Sequence, residues 1–217
     1  MDYDQARLNM IDSQLRTWDV LDQRLLDTFL LLDRHQFTPA KFRNISYADT
    51  EIPIGSGQVM LAPKMVGRMV QELEIVPTDS VLEIGTGTGY TTALLGYLAG
   101  KVLSVEIDSD LHDAAKKRLG TYSLDNITLE KGNGLDLKFG TKLFDVILLN
   151  GALSSVPEEL KKQLKEGGRL LGVFGAPPIM TAMLVLRLTQ DKFEVHKIFE
   201  TCVPYLEISR PRSSFTF

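Results

Sequence analysis

A carboxylate stands just ahead of three alternating glycines in the run Val81-Leu82-Glu83-Ile84-Gly85-Thr86-Gly87-Thr88-Gly89-Tyr90. Glycines at such a turn let the main chain approach a ligand closely and adopt positive φ. The apolar residues before the turn read as a strand and those after it as a helix. That places the loop at the carboxyl end of a strand, where doubly wound sheets bind their ligands. The spacing argues against two common occupants. A dinucleotide loop wants Gly-x-Gly-x-x-Gly, but the last position falls on Tyr90 counted from Gly85 and on Thr92 counted from Gly87. The Gly-Lys-Ser/Thr of a triphosphate loop is absent. Glu83 would also sit poorly beside a pyrophosphate, whereas it suits a cation.

S-adenosyl-L-methionine has the matching groups. Its α-ammonium calls for a carboxylate, assigned to Glu83. Its α-carboxylate calls for the loop and helix start formed by Gly85, Thr86, Gly87, Gly89 and Tyr90, at the positive end of a helix dipole. Its ribose diol calls for an acidic acceptor at the end of the next strand. Glu106 stands there, 17 residues past Gly89 and followed by Ile107, and one carboxylate can accept from both hydroxyls. Asn133 and Gly134, after the third strand, are placed at the adenine edge, with a plain turn as the competing reading for Asn133. Asn150, ending the fourth strand, is placed near the reactive methyl. S-adenosyl-L-homocysteine would be the product. A lone glycine triplet also occurs as a ligand-free turn; its conjunction with acidic residues on two successive strands favours a ligand.

The elements that must carry these residues alternate. Short strands are expected at 80–84, 101–108, 127–131, 144–150 and 169–174, with helices at 91–98, 110–119 and 157–165. The 144–150 run is nearly all apolar, as a strand buried on both faces should be. Residues 183–188 and 193–199 read as a closing antiparallel hairpin. The expectation is an α/β, Rossmann-like, S-adenosylmethionine-dependent methyltransferase fold: a mostly parallel doubly wound sheet with an N-terminal helical cap and the C-terminal hairpin. Helical periodicity runs through 4–33 and 63–75, and 37–57 reads as a loop-rich connection. The chain has 217 residues, read as one methyltransferase domain (1–217) with a cap at 1–75 and a cofactor-binding core at 76–217.

Composition limits the alternatives. Hydrophobic residues make up 44 % and charged residues 24 %, as in soluble globular proteins. The single cysteine, Cys202, permits no intrachain disulfide and fits a reducing, cytoplasmic setting. The three histidines have no metal-ligand spacing, so no metal is expected. A net charge of −4 with no basic cluster gives no reason to expect nucleic acid. No apolar run is long enough for a membrane span. Oligomeric state has no signature.

The chain resembles the protein-L-isoaspartate O-methyltransferase family over most of its length. The stretches that carry the resemblance are Phe37-Thr38-Pro39, Ala48–Gly55, Gly57-Gln58, Ala62-Pro63-Lys64-Met65, Val81–Tyr90, Phe144-Asp145-Val146-Ile147 and Leu164–Leu170. The glycine motif is common to many methyltransferases; the segment from Ile52 to Met65 points to this family. The resemblance implies methylation of the misplaced α-carboxylate of an isoaspartyl residue in damaged protein, a repair step. A carboxylate is ionised at pH 7, so no general base is required and no catalytic residue is singled out. The acceptor side is expected to comprise Gly57, Val59, Met60, Leu61, Lys64 and Leu206. Here the chain departs from the pattern. Val59 and Leu61 occupy positions where the family carries Thr and Ser, Leu206 occupies a hydroxyl position near the C-terminus, and Asn133 replaces an Asp. Lys64 or Ser56 could supply donors instead. The alternatives are a methyltransferase of the same fold with a more apolar acceptor, and a cofactor-binding protein without isoaspartyl activity.

Overall fold

The computed structural model describes residues 2–136 and 142–207. Residues 4–33, expected as one periodic helical run, form several pieces. Helix α1 (Tyr3–Met10) is capped by the Asp2 side chain and continues as a π turn (Ile11–Leu15) and a 3-10 turn (Arg16–Trp18). The chain then reverses at Asp19, which has φ of 57°. Helix α2 (Gln23–Leu31) restarts with Asp22 accepting from the Leu25 N–H. Two Asp caps and a left-handed residue punctuate what side-chain periodicity alone joined. The 37–57 connection likewise holds more than loop. It contains the end of α3 (Arg34–Phe37), a 3-10 turn (Ala40–Ile45) and β1 (Ile52–Gly55), which pairs antiparallel with β2 (Gln58–Met60). Helix α4 (Pro63–Glu72) starts with proline at a position where a missing N–H costs no hydrogen bond.

The alternating segment follows as expected: β3 (Ser80–Ile84), α5 (Tyr90–Leu98), β4 (Lys101–Glu106), α6 (Ser109–Leu119), β5 (Ile127–Lys131) and β6 (Phe144–Leu153). Helix α7 is only Glu158–Lys162, because β7 (Leu164–Ala176) begins where the helix was expected to continue. Strands β8 (Ile179–Arg187) and β9 (Phe193–Thr201) close the sheet as an antiparallel hairpin.

The sheet order is β5-β4-β3-β6-β7-β8-β9, parallel from β5 to β7. This is the mostly parallel, Rossmann-like sheet with a closing antiparallel hairpin expected from the sequence. Strand order reverses at β3, which pairs with β4 on one side and β6 on the other. Loops leaving neighbouring strands in opposite directions open a crevice at that point. Alternate residues of the central strands feed two cores. Val81, Val146 and Leu148 join the cluster that also holds α2, α4 and α5, whereas Leu82, Ile147 and Leu149 join a cluster with Leu160 and Phe174. Both faces are buried, hence the continuous apolar runs. The helices before β3 share the first cluster with the sheet: Leu25, Leu26, Phe29 and Phe37 pack with Leu94, Leu95 and Leu98.

Candidate functional site

Three positive-φ glycines make the loop after β3. Gly85, Gly87 and Gly89 have φ of 91°, 55° and 86°, a region that side chains with a Cβ rarely enter. The turn after β5 presses against the same strand: a Cβ on Gly134 would lie 2.8 Å from the Ile84 side chain. Between these loops and the β1–β2 hairpin lies an open cleft lined by residues of both.

Of the expected cofactor residues, Gly85, Thr86, Gly87, Tyr90, Glu106, Ile107, Asn133, Gly134 and Asn150 line this cleft. Glu106 accepts from the Gly87 N–H at 2.7 Å through Oε2 and from the Asp108 N–H at 3.0 Å through Oε1. Two backbone donors fix its orientation, and each oxygen keeps a lone pair for a ligand hydroxyl. Asn150 donates through Nδ2 to Glu83 at 2.6 Å and to the Gly85 carbonyl at 3.0 Å, so it braces the loop from the end of β6. The side chain of Asn133 is committed to its own turn. Its Oδ1 accepts from the Leu135 N–H at 3.0 Å and its amide donates to Asp136.

The structure places Glu83, expected as the ammonium ligand, off the cleft. It is fully buried and is held by Thr92 and Ser104 hydroxyls at 2.6 Å each as well as by Asn150. A five-residue strand alternates its side chains between faces, and Glu83 points under the loop rather than out of its end. Burial pushes its carboxyl up to about 7, opposed by those three donors. Gly89 also lies off the cleft. It caps α5, with Ala115 and Leu119 3.3 Å from where a Cβ would stand.

On the acceptor side, Val59, Met60, Leu61 and Leu206 line the cleft; Gly57 and Lys64 do not. Lys64 pairs with Asp49 at 2.6 Å and lies 4.5 Å over the Trp18 ring. The Ser56 hydroxyl bonds Asp108 at 2.5 Å. Neither side chain lines the cleft. Leu206 packs over the loop, its Cδ2 lying 3.1 Å from a Cβ placed on Gly85 and 2.8 Å from one on Gly151. Sequence reading missed Ile54, Gln58, Thr88 and Leu135 in the lining. It also missed the Ser104 and Thr92 supports of Glu83, although a serine inside the apolar β4 run was a legible signal.

Three comparisons bear on this site. The family profile described as protein-L-isoaspartate(D-aspartate) O-methyltransferase matches residues 6–205. The chain is 37 % identical over 192 residues to a protein-L-isoaspartate O-methyltransferase of Koribacter versatilis, covering 88 % of this chain and 86 % of that one. It is 37 % identical over 198 residues to a namesake from Roseiflexus castenholzii, covering 91 % and 90 %. Its fold superposes with TM-score 0.81 on a Plasmodium falciparum chain described as a protein-L-isoaspartate O-methyltransferase and solved with S-adenosyl-L-homocysteine. That match is at 20 % identity and covers 95 % of this chain and 99 % of the other.

Proposed function

Because the chain belongs to the protein-L-isoaspartate(D-aspartate) O-methyltransferase family, we propose that it methylates the free carboxylate of isoaspartyl residues in damaged proteins or peptides. The methyl donor is S-adenosyl-L-methionine, whose sulfonium supplies a methyl group activated for displacement. The observation that carries this reading is Glu106. It lines the cleft at the end of β4, the strand beside β3, held by two backbone donors with a lone pair left on each oxygen. That is the chemistry a ribose diol requires. A Cβ on Gly85 would press on Leu206 and one on Gly87 on Ile54, both of which line the cleft.

This chain's residues contribute orientation and exclusion of water. Asn150 and Glu83 hold the loop, Leu206 covers Gly85, and Val59, Met60 and Leu61 wall the acceptor end. An ionised carboxylate is its own nucleophile, so alignment within a dry site accounts for the chemistry without a proton carrier. A protein or peptide is the partner, and the cytoplasm is the setting in which such a repair enzyme would work. No helix of the described residues is long and apolar enough to cross a membrane.

The apolar acceptor wall favours one second reading, a methyltransferase with a different and more apolar acceptor. Losing a donor opposite a charge costs about 1.5–3 kcal/mol, and three aliphatic residues stand at hydroxyl positions. Transfer of labelled methyl to an isoaspartyl peptide, with the aspartyl peptide as control, decides between them. Transfer to the isoaspartyl peptide alone is expected. No transfer by protein that binds S-adenosylmethionine in the same sample moves the assignment to the second reading.

A further inference from the structure

A cation lies behind the acceptor wall with no carboxylate paired to it among the described residues. Arg34 is completely buried and is among the largest side chains so enclosed in the described residues. Its Nε donates to the Ser46 carbonyl at 2.7 Å, and its Nη2 donates to the Leu61 carbonyl at 2.7 Å. Its guanidinium carbon lies 4.8 Å from the centre of the Tyr90 ring. Nη1 and the Tyr90 hydroxyl are both buried without a hydrogen bond of normal geometry. No ion pair joins Arg34 to a carboxylate among the described residues, whereas Arg7, Arg68, Lys161, Lys165 and Arg169 each pair with an Asp or Glu. Burial lowers its pKa from the ordinary value while Tyr90 and Tyr47 raise it, and a guanidinium stays protonated in proteins. Its charge therefore persists at neutral pH.

Of the residues it touches, Leu61 and Tyr90 line the cleft, whereas Ser46 does not. The charge thus stands one side chain behind the surface where the acceptor would rest, in an environment of aliphatic and aromatic groups that screens it weakly. The acceptor wall offers Val59 and Leu61 where hydroxyl donors would face a carboxylate. An unpaired buried cation is costly, and one placed here does something a hydroxyl also does: it favours an anion over a neutral group in the cleft.

We propose that Arg34 is a positioning residue for the acceptor, its buried charge selecting an anionic carboxylate through the Leu61–Tyr90 wall in place of the missing hydroxyl donors. This rests on the methyl-acceptor reading above. Its failure is separable from that one, because labelled transfer by the wild-type chain tests the reading without touching Arg34.

The experiment measures binding of an isoaspartyl peptide and of its uncharged amide analogue to protein saturated with S-adenosyl-L-homocysteine. Arg34→Gln keeps N–H donors for the two carbonyls and removes the charge. Arg34→Lys keeps the charge and loses the fork. The wild type is expected to prefer carboxylate over amide by roughly tenfold. Arg34→Gln should lose that preference and Arg34→Lys should retain most of it, with S-adenosylhomocysteine affinity within about twofold in both. Equal loss in the two variants would show a clamp and not a charge, and would overturn the proposal, as would a preference surviving in Arg34→Gln. Should neither variant melt cooperatively, the wild type still decides. A preference that survives a rise from about 0.05 to about 0.5 M salt supports a buried charge. A preference that is absent, or that salt abolishes, overturns it.

Discussion

The two walls of the cleft are held by different forces. Polar groups lock the wall made by the glycine loop and β4: Glu83 receives three side-chain donors and Glu106 two backbone donors, all within 3.0 Å. Aliphatic packing shapes the wall made by Ile54, Val59, Met60, Leu61 and Leu206. Hydrogen bonds are directional, so the first wall tolerates few changes of residue type. Apolar contact depends on volume, so the second can change its chemistry while the fold persists. The contrast separates a wall fixed by residue type from one fixed by volume.

The comparison breaks most visibly at Glu83. Glu83→Ala leaves the Thr92, Ser104 and Asn150 donors buried without their acceptor, at a cost of about 3–5 kcal/mol. Thermal unfolding should show a midpoint lower by roughly 10 °C; a change below about 2 °C would mean that the network does not hold the loop. Glu83 also sets a pH dependence. Its carboxyl, raised from 4.5 to about 7 in the folded state, binds a proton there after the unfolded chain has released it. Stability is therefore greatest below the unfolded value and falls as pH rises toward 7, by an amount on the order of 3 kcal/mol. Melting across pH 5 to 8 should show this slope in the wild type and lack it in Glu83→Gln.

Glu106→Ala probes the same wall from its ligand side. Two charged hydrogen bonds to a ribose diol would be lost, and S-adenosylmethionine should bind at least about 100-fold more weakly by calorimetry. Unchanged affinity would remove Glu106 from the site. On the apolar wall the expected change runs the other way. Val59→Thr combined with Leu61→Ser supplies the two missing donors, and kcat/KM for an isoaspartyl peptide should rise by about tenfold. A fall would show that this wall is fitted to another acceptor. Lys64→Ala should do least. Its partners Asp49 and Trp18 lie outside the cleft, so melting should shift by under about 1 kcal/mol and cofactor affinity should stay within about twofold.

The two walls were also unequally legible in the sequence. Glycines at 85, 87 and 89 and an acid at 106 report backbone requirements that only those residue types meet, and the local order of strand, turn and helix placed them together. The substitutions at 59, 61 and 206 were visible as well, through the resemblance. What escaped was direction. Nothing in the spelling of β3 says that Glu83 points beneath the loop, since strand parity fixes alternation and not which face a partner occupies. The break in the first helical run escaped too, because side-chain periodicity continues across a turn that Asp19 reverses.

By itself the sequence determined the strand-and-helix alternation, the loop that brings backbone to a ligand and the family to which the chain belongs. Those features depend on local residue type: glycine for positive φ, apolar runs for strands buried on both faces. Tertiary structure alone decided that Lys64 and Ser56 are spent on Asp49 and Asp108, that Asn150 braces the loop, and that Arg34 stands charged behind Leu61. These are contacts between residues as much as 67 positions apart. Burial, the quantity that sets their electrostatics, exists only once the chain has closed around them.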